Sequence, residues 1–139
     1  MAHRKLTRHE ARELAFKILF AKDFDRETDA REFVESFAEI TETEINDYIS
    51  ATVSGVSEKL KEIDTLIESS SVNWKLSRMS TASRTILRLA VYELTETDTP
   101  AKVVINEAVE IIKLYDDESA PSFVNGILNN IARERGLIV

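Results

Sequence analysis

The chain contains no cysteine, two prolines, three glycines and one tryptophan in 139 residues. Without cysteine there can be no disulfide, thiolate metal site or cysteine nucleophile, a usage compatible with a reducing compartment. So few glycines and prolines remove the punctuation that many hairpins need, and both prolines stand where helices would begin. An all-α fold is therefore expected. No apolar run approaches the ~18 residues of a membrane span, and the charged N-terminus lacks a signal-peptide core. A soluble, cytoplasmic protein is expected. No P-loop, Gly-x-Ser-x-Gly or dinucleotide fingerprint occurs. The two histidines, His3 and His9, have no metal-binding spacing. Nothing supports an enzyme, a metal site or a cofactor.

What is present is an uneven charge. The chain carries a net charge of -7, yet residues 1 to 22 hold six Lys/Arg against two Glu, residues 23 to 70 hold four against fourteen acids, and the remainder is nearly balanced. Only the N-terminus offers a net basic surface. The acids from Asp23 to Asp47 alternate with apolar residues, as the wet side of amphipathic helices does. They give no general acid/base pair.

Hydrophobic periodicity and capping residues predict the helices. Thr7 and Glu10 form a capping box opening a helix to about Lys22, and Asp29 with Glu32 offers a second box. Ile45, Tyr48, Ile49, Val53, Val56, Leu60, Ile63 and Ile67 describe one long helix from Glu44 to about Ser69. A connector containing Trp74, Leu76 and Met79 follows. Ser80 caps a helix to about Leu94, Thr99 with Pro100 opens the next, Pro121 opens the last, and Gly136 supplies its C-terminal cap. One compact domain, 1–139, with halves of about 1–71 and 72–139, accommodates these elements.

Within the basic start, Arg8 and Arg12 lie one turn apart, preceded by Arg4 and Lys5. Cations at a helix N-terminus oppose the macrodipole, so they do not serve helix stability. They suit RNA phosphates, and guanidinium groups also stack on unpaired bases. The plain alternative is a solvated terminus that is simply basic. Arg88, inside an apolar LRLA run, needs a partner, for which Glu107 and Glu110 are candidates. Asn106, Glu107, Asn125 and Gly126 interrupt faces expected to be apolar. There the asparagines would bond to backbone or each other and Gly126 would let two helices approach.

These residues carry a resemblance. Ala11-Arg12-Glu13-Leu14-Ala15, the Arg84 to Leu94 run, the Pro100 to Ile111 run with its Ile105-Asn106-Glu107-Ala108, and Phe123-Val124-Asn125-Gly126-Ile127-Leu128 together resemble the NusB family across nearly the whole chain. The resemblance implies an all-helical bundle of two packed three-helix halves and a mechanism without chemistry. It also implies pairing with NusE, a small-subunit ribosomal protein, on boxA RNA. That pairing would suppress termination within the RNA polymerase antitermination complex, chiefly on ribosomal RNA operons. Carried over by position, it implies RNA contacts at Arg4, Lys5, Arg8, His9, Arg12, Ser119, Ser122 and Phe123, and a NusE face near Phe16, Phe20 and Tyr92. His9 and Glu10 stand where many members have further arginines, and Ser119 and Asn129 where acids are common. A homodimer that hides the basic arm is compatible with the same pattern. Two rivals are a NusB-like domain of a ribosomal RNA methyltransferase, which needs a following cofactor domain, and a helical adaptor without RNA binding.

Overall fold

A computed structural model describes residues 5–71 and 75–139; His3, Arg4 and Trp74 lie outside the described residues. Among the described residues there are seven α-helices and no strand. They are α1 (Arg8–Lys22), α2 (Ala30–Thr41), α3 (Asp47–Glu58), α4 (Leu60–Ser70), α5 (Thr81–Glu96), α6 (Ala101–Tyr115) and α7 (Ala120–Glu134), with a 3₁₀ turn at Leu76–Arg78. The all-α expectation holds. The chain divides into two compact units, Met1–Gly55 and Val56–Val139.

In the first unit, the capping box forms as expected. The Glu10 N–H donates to Thr7 Oγ1 at 3.1 Å and the Thr7 N–H to Glu10 Oε1 at 2.9 Å. These bonds satisfy otherwise orphaned donors and fix where α1 begins. Its buried side carries Ala11, Ala15, Phe16, Ile18 and Leu19. Lys22, in the last turn, donates to the Thr28 carbonyl at 2.9 Å and lies 5.8 Å from the Phe33 ring, tying down the connection to α2. The Asp29 half of the second expected box caps α2, accepting from the Glu32 N–H at 3.4 Å. Helix α2 ends at Glu42 in the left-handed region, φ 54°. That conformation suits glycine better, because it crowds a side chain's Cβ.

The single long helix expected from Glu44 is instead two. Asn46 accepts from the Ile49 N–H at 2.9 Å and starts α3 later. At Lys59 the backbone leaves helical values, φ -106° and ψ 17°, before α4 resumes at Leu60. The hydrophobic spacing runs through this break nearly in phase, so periodicity alone reads it as continuous. The Lys59 ammonium pairs with Glu96 Oε1 on α5 at 3.2 Å.

In the second unit α5 is the centre. It packs against α4, α6 and α7, and 11 of its 16 residues are buried. A helix buried on most of its sides, even at Arg88 and Glu93, lies inside the bundle of this unit. Because α4 also packs against α5 and α7, it groups with this unit, and the division falls within α3, after Gly55, where the expected halves meet after residue 71. Helix α6 starts one residue later than expected, with Pro100 at the cap position. Helix α7 carries proline in its first turn and ends as predicted. Gly136 takes φ +69° and the Leu137 N–H donates to the Ala132 carbonyl at 2.8 Å.

Two expectations about polar residues are corrected. Arg88 reaches α4, where its Nε and Nη2 donate to the two oxygens of Asp64 at 2.8 and 2.9 Å. Asp64 is thus a partner of Arg88 that the sequence spacing did not suggest. Asn106, Asn125 and Gly126 are exposed and do not interrupt a buried face. Helix α6 buries Val104, Ile105, Ala108, Ile111 and Ile112, leaving Asn106 on its outer side. Among the described residues a Cβ at Gly126 would meet nothing within 4 Å, so no described helix approaches closely there.

Candidate nucleic-acid interface

The first unit presents the basic start of α1. Lys5, Arg8 and His9 are exposed. The Arg8 guanidinium carbon sits 4.2 Å from the centroid of the Tyr48 ring on α3. Arg12 approaches the same ring at 5.8 Å, but is only 2% exposed. The two arginines therefore differ: Arg8 presents its charge to solvent, while Arg12 lies beneath the surface. Cation–π attraction offsets part of the unfavourable placement of both charges near the positive end of α1.

Further along α1, Phe16 is 1% exposed, so it has no free surface to offer a partner in this conformation. Its ring supports Phe20 at 6.2 Å between centroids, and Phe20 in turn meets Phe24 edge-on at 5.7 Å. The ladder climbs from the core to solvent, since Phe24 is 73% exposed. Phe24 was not singled out in the sequence, although its spacing from Phe16 and Phe20 carried the signal.

In the second unit, Ser119, Ser122 and Phe123 lie at the start of α7, with both serines exposed and Phe123 half-buried. The Ser119 hydroxyl donates to Asp117 Oδ1 at 2.6 Å, and the Ser119 N–H donates to the same oxygen at 3.0 Å. Beside them opens a cleft of about 320 Å3 lined by Arg78, Ser80, Ser83, Asp116, Ser119 and Phe123, among others. The Ser80 and Ser83 hydroxyls both donate to Asp116 Oδ2, the latter at 2.7 Å. Burial pushes the Asp116 carboxyl upward, but these hydroxyls and the Asp117 N–H outweigh it and leave the group below its ordinary value. The carboxylate thereby crosslinks the end of α6 to the start of α5. Sequence reading missed it because no local pattern joins residues this far apart.

Tyr92, on α5, is half-buried. Burial, reinforced by the carboxylates of Glu96, Glu58 and Glu93, raises its hydroxyl above the ordinary value and keeps it a neutral donor. Among the described residues no cluster of His, Asp or Glu is arranged to hold a metal ion. No helix among them is long and apolar enough to cross a membrane.

A basic helix start beside an aromatic ring, in an all-helical fold with no metal cluster among the described residues, is the chemistry of a binding protein rather than of a metal site, and it suits contacts to nucleic acid. The sequence profile of the NusB family matches residues 9–133, and the chain belongs to that family. It is 42% identical to the transcription antitermination protein NusB of Bdellovibrio bacteriovorus, over 93% of this chain and 98% of that protein. Its fold is similar to that of T. maritima NusB, with a TM-score of 0.81, 38% identity and 94% of each chain covered. It is also similar to a chain in the crystal structure of the antitermination factors NusB and NusE in complex with dsRNA. There the TM-score is 0.78 and the identity 29%, with 93% of this chain and 99% of that one covered.

Proposed function

We propose that this protein is a cytoplasmic transcription antitermination factor that acts by binding and not by catalysis. It pairs with NusE on boxA-type RNA and joins the RNA polymerase antitermination complex, chiefly on ribosomal RNA operons. The observation that carries this reading is the match, along nearly the whole length, to a chain solved together with NusE and RNA. Lys5, Arg8 and His9 supply contacts to phosphates, extended upstream by Arg4. Ser119, Ser122 and Phe123 supply a second RNA edge, with the Phe123 ring available for base stacking. Arg12, 2% exposed, offers RNA no surface of its own in this conformation. On the NusE side, Phe20, backed by the buried Phe16, and Tyr92 make the contacts.

Phosphate contacts give affinity that falls with salt, and NusE supplies register. Titrating labelled boxA-type RNA with this protein, with NusE, and with both tests the reading. The pair is expected to bind more tightly than either protein alone. Failure of the pair to bind RNA better than either component would overturn it and favour a helical adaptor without RNA binding.

A further inference from the structure

The start of α1 poses a physical problem. Arg8 occupies the first helical position, where its charge opposes the macrodipole, and it must nevertheless be held in place if it is to meet RNA without a large ordering cost. A carboxylate neighbour would hold it but cancel its charge and occupy its N–H donors. The structure uses a different device, the neutral ring of Tyr48, 4.2 Å from the Arg8 guanidinium carbon and 5.8 Å from that of Arg12. A ring face attracts a cation through its quadrupole, and the donors of a guanidinium lie in its own plane, directed away from a ring stacked on its face.

We propose that Tyr48 is a positioning residue for RNA binding, whose ring holds the Arg8 guanidinium in place while leaving its charge and N–H donors to an RNA phosphate or base. This inference rests on the assignment of the α1 start as an RNA surface. Tyr48 belongs to α3, in the same compact unit as α1. The hydrophobic pattern of the sequence accounts for Tyr48 as a helix-face residue, and its link to Arg8 spans two helices. The ring, and not the hydroxyl, is the active part. Phenylalanine should therefore replace it and leucine should not.

The test measures binding of a short single-stranded boxA-type RNA by fluorescence anisotropy at low salt. The proteins compared are wild type, Tyr48→Phe, Tyr48→Leu, Arg8→Ala and the double variant Arg8→Ala/Tyr48→Leu. Tyr48→Leu is expected to bind about two- to fivefold more weakly, the range of an exposed cation–π contact, and Tyr48→Phe close to wild type. In the Arg8→Ala background, Tyr48→Leu should change nothing further. Equal losses from Tyr48→Leu in both backgrounds, or a loss in Tyr48→Phe as large as in Tyr48→Leu, would overturn the inference. So would wild-type binding by Tyr48→Leu when Arg8→Ala is weakened. If Arg8→Ala itself binds as wild type, the assignment of the arm fails and this inference falls with it. Should Tyr48→Leu fold poorly, NMR of the free wild-type protein decides. Ring-current shifts of the Arg8 side chain must be present there and persist in Tyr48→Phe, and their absence contradicts the proposal.

Discussion

Arg8 and Arg88 are both ordered by a neighbour, yet the neighbours give them opposite uses. Arg88 is buried in the second unit and meets both oxygens of Asp64, so its charge is matched within the fold. Arg8 is exposed in the first unit and rests on an uncharged ring, so its charge remains available. The contrast separates an arginine whose charge is matched within the fold from one whose charge stays open to a ligand. A carboxylate partner closes the electrostatic account inside the molecule, whereas an aromatic partner orders the cation without neutralising it.

The largest expected effect comes from breaking the structural member. Arg88→Ala leaves Asp64 with an uncompensated charge at a mostly buried site and should lower unfolding free energy by about 3 kcal/mol, read by urea denaturation followed by circular dichroism. RNA affinity of the folded fraction should be unaffected. Asp116→Ala removes the acceptor shared by Ser80 and Ser83 and should cost about 1–2 kcal/mol in the same assay. Because the folded-state carboxyl lies below its ordinary 3.8, this contribution is complete above that pH and is lost as the pH falls through the lower folded value. The stability gap between wild type and Asp116→Ala should therefore narrow in strong acid. The smallest effect has the opposite sign. Gly126→Ala places a methyl group in open space on an exposed helix face and should stabilise by about 0.5–1 kcal/mol, measured by thermal melting.

Much of the helical framework was legible because its signals are local. The Thr7–Glu10 box, the prolines at helix starts and the left-handed Gly136 each act within a few residues. The break at Lys59 was hidden, since one non-helical residue barely disturbs the apolar spacing on either side of it. The fingerprint residues Asn106, Asn125 and Gly126 were legible as a family mark but not in their placement. Their exposure follows from which face of α6 and α7 packs on the rest of the bundle, the side carrying Val104, Ala108 and Ile111 in α6 and Val124, Leu128 and Ile131 in α7. At the candidate site the basic start of α1 was legible from charge alone. The burial of Arg12, the Tyr48 ring and the Asp116 crosslink were not, because each depends on contacts between distant segments.

The proposed grip of the exposed cations at the start of α1 on RNA acts through phosphates. Its most direct test is the slope of log binding constant against log salt for boxA-type RNA, in wild type and in Lys5→Ala/Arg8→Ala. Each phosphate contact to a single strand contributes about 0.7 to that slope, so the double variant should bind more weakly with a slope shallower by about 1.4. An unchanged slope, with affinity also unchanged, would contradict the account and leave the basic start of α1 as a solvated terminus.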